Sequence, residues 1–203
     1  MPRILIATNN PGKLEELRAL LLPTGWTPLH PAGIGLALDV PETGSSYVEN
    51  ATLKARAFAA AANLLALADD SGLEVDALGG RPGVHSARYG GPGTPPHEQI
   101  RMLLNELEGV PDERRGARFR SVVVIAAPDE RTWQSEGAIE GRVAREPHGH
   151  NGFGYDPIFF LPERGRTLAE LTEAEKRAIS HRALAMQGAL QQLDRLLRAG
   201  EGL

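Results

Sequence analysis

The sequence predicts an α/β fold built as a single domain over residues 1–203. Three observations predict it. Short apolar runs of strand length alternate along the chain with amphipathic runs of helical period. A length of 203 residues with 41% hydrophobic and 24% charged residues is typical of one globular domain. No internal repeat, low-complexity tract or linker composition divides the sequence.

The pattern begins with a strand, a turn and a helix. Residues 3–8 form an apolar run that predicts a short buried strand. A turn at residues 9–12 follows and places Pro11 at the first helical position, where a missing N–H is tolerated. An apolar face at helical spacing then predicts the first helix, with Leu14, Leu17 and Leu21.

A second strand and a second helix come next. Residues 26–29 predict the strand. Ser46 and Glu49 form a capping box, which opens a helix that reaches about Asn63. This helix is so rich in alanine that we expect another element to pack closely against it.

The centre of the chain predicts a strand and a long loop. Residues 64–68 predict the strand, and we expect it to end at the Asp-Asp-Ser-Gly run of residues 69–72. Six glycines over residues 79–93 predict a loop rather than a regular element. A helix, three strands and a final helix are predicted after it, over residues 100–107, 121–127, 132–139, 158–160 and 179–197.

The composition excludes several classes of function. The chain has no cysteine, so disulfides, zinc–thiolate sites, iron–sulfur clusters and cysteine nucleophiles are excluded. A net charge of −4 argues against a broad nucleic-acid surface but leaves room for a small nucleotide site. No apolar run is long enough to cross a bilayer, and residues 1–7 lack the apolar core of a signal peptide. We therefore expect a cytoplasmic protein that binds neither nucleic acid nor membrane.

The first candidate site is the turn from Thr8 to Lys13. A turn that follows a buried strand and opens a helix presents backbone N–H groups and the positive end of the helix dipole, which suits phosphate. Lys13 adds a point charge, and Thr8 and Asn10 add hydrogen-bonding groups. The turn is neither a Walker A loop nor a dinucleotide fingerprint, so an ordinary turn is the alternative.

The second candidate site is Asp69-Asp70-Ser71-Gly72, because open α/β sheets bind ligands at the carboxyl ends of their strands. Side chains alternate along a strand, so we expect only one of the two carboxylates to point into a given site. Glu42, Glu74 and Asp76 lie near in sequence, and carboxylates are suitable ligands for Mg²⁺. The alternative is that one aspartate only caps a turn.

Two further segments carry candidate binding residues. Gly152-Phe153-Gly154-Tyr155-Asp156 places two aromatic rings among glycines, which can offer a flat face to a base or anchor a tight turn. Lys176, His181 and Arg182 can serve one ligand only if the last helix breaks near Ser180, since Lys176 and His181 would otherwise point about 140° apart. A solvated basic face is the alternative.

Together these motifs resemble the inosine triphosphate pyrophosphatase family and, within it, the bacterial XTP/dITP diphosphatases. The resemblance covers essentially the whole chain, and the ordered set is far more specific than any single motif. The matching stretches are Thr8-x-Asn10-x-x-Lys13, Glu49-Asn50-Ala51, Lys54, Ala68-Asp69-Asp70-Ser71-Gly72-Leu73, and residues 83–88, 152–160 and 180–182.

The resemblance implies a two-lobed α/β fold around a long curved mixed sheet flanked by helices, and a homodimer. It implies Mg²⁺-dependent hydrolysis of nucleoside triphosphates (ITP, dITP and XTP) to the monophosphate and pyrophosphate. It also implies that Asp70 is the catalytic acceptor and a metal ligand, with Glu42 as the second metal ligand. Asn9 stands where many members carry glycine, which leaves the turn intact if Asn9 accepts a left-handed conformation.

The resemblance further assigns the triphosphate to the first turn and the nucleoside to the later segments. The substrate-binding residues that it implies are Thr8, Asn9, Asn10, Pro11, Gly12, Lys13, Ser71, Phe153, Gly154, Tyr155, Asp156, Lys176, His181 and Arg182. We expect donors from His181 or Arg182 to pair with the C6 keto group of inosine and xanthine bases, which adenine lacks.

Lysine is scarce in this chain, and its positions agree with the resemblance. Only three of the 22 basic residues are lysine, and Lys13, Lys54 and Lys176 all fall within the candidate motifs. Lysine is a compact point charge whereas arginine is a planar fork, so a crowded phosphate site can require lysine.

Two other functions stay open from the sequence. One is a pyrophosphatase of related fold that acts on modified pyrimidine triphosphates. The other is a nucleotide-sensing or RNA-binding module without turnover. The acidic net charge argues against this module, as do the carboxylates, which repel phosphate unless a metal is present.

Overall fold

Strands and helices alternate from the N-terminus of the protein, in a computed structural model that describes residues 1–200. The strands are β1 (Arg3–Ile6), β2 (Thr27–Leu29), β3 (Ala66–Val75), β4 (Gly116–Ala126), β5 (Thr132–Val143), β6 (Phe159–Leu161) and β7 (Arg166–Thr167). The helices are α1 (Pro11–Leu21), α2 (Tyr47–Ala62), α3 (Pro96–Glu106), α4 (Glu173–Ile179) and α5 (His181–Arg198). Within the described residues, no helix is both long and apolar enough to cross a membrane.

These strands form one mixed sheet in the order β2-β1-β3-β4-β5-β6-β7. β1 lies parallel to both β2 and β3, and Leu5 pairs with Ala66. Parallel neighbours need a crossover connection, which α1 and α2 supply. β6 is antiparallel to β5 and to β7. The predicted α/β fold around a mixed sheet flanked by helices is confirmed.

The described chain divides into two compact units. Unit 1 comprises Met1–Asp70, Ser121–Gly137 and the chain from His181 onward, and unit 2 comprises Ser71–Arg120 and Ala138–Ser180. Each unit has a hydrophobic cluster of its own. The single domain over residues 1–203 stays a prediction.

The core of unit 1 lies between its strands and the apolar faces of α1 and α5. Leu17 and Leu21 of α1 are fully buried, and Met186 of α5 belongs to the same cluster. α2 contacts β1, and the close packing expected of its alanines holds for one side of the helix, since Ala60 and Ala61 are exposed. The fully buried alanines of α2 are Ala51, Ala55 and Ala59.

Two glycines allow α5 to lie very close to β5 in unit 1. A Cβ atom at Gly137 of β5 would overlap backbone atoms of His181 and Ala185 of α5. A Cβ atom at Gly188 of α5 would lie 2.7 Å from the Cβ atom of Ser135. The backbones can approach this closely only where side chains are missing. The position of the first turn of α5 therefore depends on glycine at 137.

Unit 2 has an aromatic core and a buried guanidinium. The rings of Phe119 and Phe159 contact each other, with centroids 4.7 Å apart. The buried Arg115 side chain donates to three backbone carbonyls at 2.8 to 2.9 Å. These hydrogen bonds compensate for the burial of the charge.

β3 is longer than the sequence predicts. The predicted end near residue 68 was wrong, because the strand continues to Val75. Asp69 and Asp70 therefore lie in the middle of the strand rather than at its carboxyl end. Their residue types favour turns when they are solvated, but in unit 1 both carboxylates have polar or charged partners inside the fold.

We expect Gly137→Val to lower the free energy of unfolding by about 1–3 kcal/mol, because the new side chain would force α5 away from β5. Urea-induced unfolding measures the change. Ala138→Val, at the next and exposed position of the same strand, is the control and should change stability by no more than about 0.5 kcal/mol. Equal stabilities for the two variants would contradict the close approach of α5.

Candidate active site

The turn between β1 and α1 is ordered by its own polar side chains. Asn10 caps α1, since its Oδ1 accepts a hydrogen bond from the N–H of Lys13 at 3.1 Å. Thr8 Oγ1 accepts from the N–H of Asn10 at 3.2 Å. Asn9 Nδ2 donates to a distant backbone carbonyl at 3.2 Å. Pro11 occupies the first helical position, as predicted.

The backbone at Asn9 does not use the left-handed conformation. Among residues 1–200, the non-glycine positions with positive φ are Asn63 and Glu130. The turn therefore closes with ordinary backbone angles, and asparagine in place of glycine introduces no strain.

The Asp69 carboxylate is a buried anion between two cations in unit 1. Its Oδ2 lies 3.3 Å from Lys13 Nζ and accepts a hydrogen bond from Arg182 Nε at 3.0 Å. Arg182 is only 1% exposed and also pairs with Glu16 of α1. Burial alone would raise the pKa of Asp69, but attraction to the surrounding ammonium and guanidinium groups holds it well below its usual range. Asp69 is therefore a fixed negative charge that joins α1 and α5 to β3.

Asp70 faces a different group of residues in the same unit. Its Oδ2 accepts a hydrogen bond from Asn50 Nδ2 at 3.1 Å, and its Oδ1 lies 3.9 Å from Lys54 Nζ. Lys54 Nζ also donates to Glu42 Oε1 at 2.6 Å. Burial raises the pKa of Asp70 in spite of the nearby lysines, and the Glu42 charge adds to the rise. A carboxylate whose pKa is raised is a stronger base than a solvated one.

The different partners of the two aspartates follow from the geometry of a strand. Successive side chains of a strand point to opposite faces, so Asp69 meets α1 and α5 while Asp70 meets α2. The two side chains have different partners, as their alternation along the strand predicts. That only one of the carboxylates faces a given site stays a prediction.

The structure adds three residues that were not among the predicted site residues: Glu16, Asn50 and Lys54. Asn50 and Lys54 lie four positions apart on α2, so they share one helix face. Both that spacing and the scarcity of lysine are visible in the sequence. The sequence does not show which face of β3 is covered by α2. That face decides which of the two carboxylates Asn50 and Lys54 contact.

In unit 2, the predicted aromatic segment forms a braced loop. Asp156 Oδ2 accepts hydrogen bonds from Lys176 Nζ at 2.6 Å and from the N–H of Phe153 at 2.9 Å. Lys176 Nζ lies 4.9 Å from the centroid of the Phe153 ring, a cation–π contact. Gly152 has φ of +75°, and a Cβ atom there would overlap Asp156 Oδ2, so the loop requires glycine at this position.

The two aromatic rings of this loop differ in exposure. Tyr155 is buried, and its hydroxyl donates to the carbonyl of Ser86 at 3.0 Å. Burial raises the pKa of this phenol. Phe153 and Gly154 are half-buried, and Ser71 is half-buried on β3. Tyr155 therefore anchors the loop, and Phe153 is the ring whose surface is partly accessible to a ligand.

The last helical run breaks at Ser180, which is the condition for Lys176, His181 and Arg182 to serve one ligand. The final helix begins at His181 rather than at the predicted residue 179. α4 ends at Ile179, and Ser180 has extended backbone angles, with φ of −64° and ψ of 151°. His181 and Arg182 begin α5, and both are buried in unit 1. Lys176, on α4, belongs to unit 2.

Glu42 and Asp70 are the carboxylates that the resemblance assigns to Mg²⁺. Within residues 1–200, no cluster of three or more His, Asp or Glu side chains forms a complete metal cage. Proteins commonly bind Mg²⁺ through one or two carboxylates together with water and substrate phosphates. The ammonium group of Lys54 lies between these two carboxylates, so their arrangement accommodates a cation. The pair fits a metal ion that the substrate helps to bind.

The chain matches known proteins over nearly its whole length. The model of the Ham1 family matches residues 4–192. The dITP/XTP pyrophosphatase of Bacillus subtilis strain 168 is 47% identical over 199 residues, which are 98% of each chain. That of Geobacillus kaustophilus strain HTA426 is 50% identical over 186 residues, 92% of this chain and 91% of the relative. A solved HAM1 protein from Coxiella burnetii is 42% identical with a TM-score of 0.86, covering 96% of this chain and 100% of that one.

Asp69→Asn should lower the free energy of unfolding by about 3–5 kcal/mol, because it leaves two buried cations without their shared counter-charge. Urea-induced unfolding measures this loss. The control is Asp129→Asn, which breaks an exposed pair with Arg131 and should change stability far less, because water screens that pair. If the two variants were equally stable, the buried carboxylate would not be the charge that organises unit 1.

Proposed function

The chain belongs to the Ham1 family, and we propose that it hydrolyses the non-canonical purine nucleotides ITP, dITP and XTP to the nucleoside monophosphate and pyrophosphate. The surroundings of Asp70 support this proposal most directly. Asp70 is a buried carboxylate with a raised pKa, and it lies with Glu42 and Lys54 in a chain 47% identical to a dITP/XTP pyrophosphatase. A general base, an acidic pair for a metal ion and a cation for phosphate are what triphosphate hydrolysis requires.

We assign the triphosphate to the charged groups of unit 1. The first turn of α1 offers the positive end of the helix dipole, although the N–H of Lys13 already donates to the Asn10 cap. Burial lowers the pKa of Lys13 in spite of the attraction of Asp69, and the Lys54 and Arg182 charges lower it further. A group of cations in this state gains from a bound anion, so phosphate oxygens stabilise the charged form of Lys13.

Glu42 and Asp70 would hold the Mg²⁺ ion. When bound, Mg²⁺ would supply electrostatic stabilisation for the charge that develops on the phosphate oxygens.

Asp70 is the proposed general base. Asn50 fixes its carboxylate through Oδ2, and the carboxylate accepts a proton from the attacking water. The water oxygen forms a bond to the α-phosphorus, and the bond from that phosphorus to the bridging oxygen breaks. Pyrophosphate leaves with the bonding electrons, and Lys13 and Lys54 neutralise its charge.

We assign the nucleoside to donors at the start of α5, in unit 1. The half-buried Phe153 ring of unit 2 stays a separate candidate for contact with a base. Arg182 carries five N–H donors, and its bonds to Asp69 and Glu16 hold the guanidinium in one orientation. His181 and Arg182 would donate to the keto oxygen at C6 of inosine or xanthine bases. Adenine presents an amino donor there, which cannot accept a hydrogen bond from these donors.

The resemblance also supports proposals about assembly and location. We propose that the enzyme is a homodimer and that it acts on the cytoplasmic nucleotide pool. Size measurement in solution and fractionation of cells test these two proposals separately from the activity.

Asp70→Asn should lower kcat for ITP by at least about 10²-fold, because an amide cannot accept the proton from water. Pyrophosphate release measures kcat, and calorimetric titration with ITP checks that the nucleotide still binds. Asp194→Asn removes an exposed carboxylate on α5 and should leave kcat unchanged. Turnover by Asp70→Asn near the wild-type rate would refute the assigned role.

A panel of nucleotides tests the substrate class. We expect kcat/KM for ITP, dITP and XTP to exceed that for ATP by up to about 10⁴-fold, and chelation of Mg²⁺ to abolish pyrophosphate release. Comparable values for ATP and ITP would defeat the proposal. A preference for UTP or dTTP would favour the pyrimidine alternative, and no release from any triphosphate would favour a binding module.

A further inference from the structure

The ammonium group of Lys54 occupies the space between the two carboxylates assigned to the metal. Its Nζ lies 2.6 Å from Glu42 Oε1, 2.8 Å from the carbonyl oxygen of Asp69 and 3.9 Å from Asp70 Oδ1. The Lys54 side chain is 12% exposed, so little water reaches these contacts. Two anionic oxygens and one carbonyl oxygen are also ligands that a hard divalent cation prefers.

We propose that Lys54 is the internal counter-cation of the Glu42–Asp70 pair in the metal-free protein, and that a divalent cation binds this pair only when the ammonium group moves away. The inference rests on the proposed function, because that function assigns Glu42 and Asp70 to the metal.

Electrostatic repulsion explains why Lys54 and a divalent cation compete for these carboxylates. Without a cation, two carboxylates held this close repel each other, and Asp70 is also largely buried. Lys54 removes that repulsion. A divalent cation at the same oxygens would face a like charge within a few ångströms, which in water already corresponds to a loss of about tenfold or more in affinity.

The lysine side chain can leave this position more easily than other basic side chains can. Its ammonium group is a point charge on a flexible four-carbon stem, so the group can move without a change in α2. A triphosphate that binds with the metal offers new anionic oxygens to the displaced ammonium group. Metal and triphosphate therefore favour each other's binding, with Lys54 as the connection.

The test is the affinity of the full-length, nucleotide-free protein for Mg²⁺, measured by titration calorimetry after removal of metal with a chelator. We expect Lys54→Met to bind Mg²⁺ at least about tenfold more tightly than wild type, because the competing charge is gone. We also expect its metal-free form to melt at a lower temperature and to recover more on addition of Mg²⁺ than wild type does. Lys54→Arg keeps the charge and should bind Mg²⁺ no more tightly than wild type.

Two further variants make the result specific. Arg56→Met removes a positive charge from an exposed position two residues along α2 and should leave the Mg²⁺ affinity unchanged. Lys54→Gln replaces Lys54→Met if the latter does not fold, and the same tighter binding is expected of it.

The proposal is overturned if the neutral Lys54 variants bind Mg²⁺ as wild type does, more weakly, or not measurably. In that case Lys54 serves only the phosphates. Failure of the proposed function would be seen in a different measurement: wild type with Mg²⁺ would release no pyrophosphate from ITP.

Discussion

The buried charge of Asp69 is the constraint on which the arrangement of unit 1 depends. Taking a carboxylate out of water costs several kcal/mol unless cations and hydrogen bonds compensate for it. Here the compensation comes from Lys13 of α1 and from Arg182 of α5, which is 113 residues away in sequence. Both cations reach the carboxylate only when both helices lie against β3. The interaction that secures the fold therefore also fixes Lys13 in the position assigned to phosphate binding.

The alternation of side chains along β3 separates this structural charge from the proposed chemistry. Asp69 is neutralised on one face, and its pKa is low. Asp70 is held on the other face by Asn50, and its pKa is raised. One residue of offset thus gives two carboxylates of opposite character, which a helix or a loop would not guarantee. Gly137 belongs to the same arrangement, because it lets α5 lie close enough to β5 for Arg182 to reach Asp69.

Local signals in the sequence were sufficient for the parts of the structure that local physics decides. Pro11 at the first helical position and Ser46 as the residue that opens α2 follow from residue types and spacing alone. The continuation of β3 through Asp69 and Asp70 could not be predicted in this way, because these residue types favour turns unless distant cations pair with them. The role of Lys54 depends in the same way on which face of β3 is covered by α2. The ordered motifs indicated the family, whereas the pairing of charges required the fold.

The bracing of the loop around Asp156 has a consequence for selectivity. The Lys176–Asp156 ion pair is buried, and the same ammonium group lies on the Phe153 ring, so that ring is fixed before any ligand arrives. A base that stacks on Phe153 causes little loss of conformational entropy, which favours affinity. The same bracing limits adaptation, because a shift of the ring toward a base of different outline costs its contact with the Lys176 ammonium group. Discrimination of this kind comes from a surface that cannot change shape, and it needs no additional hydrogen bond.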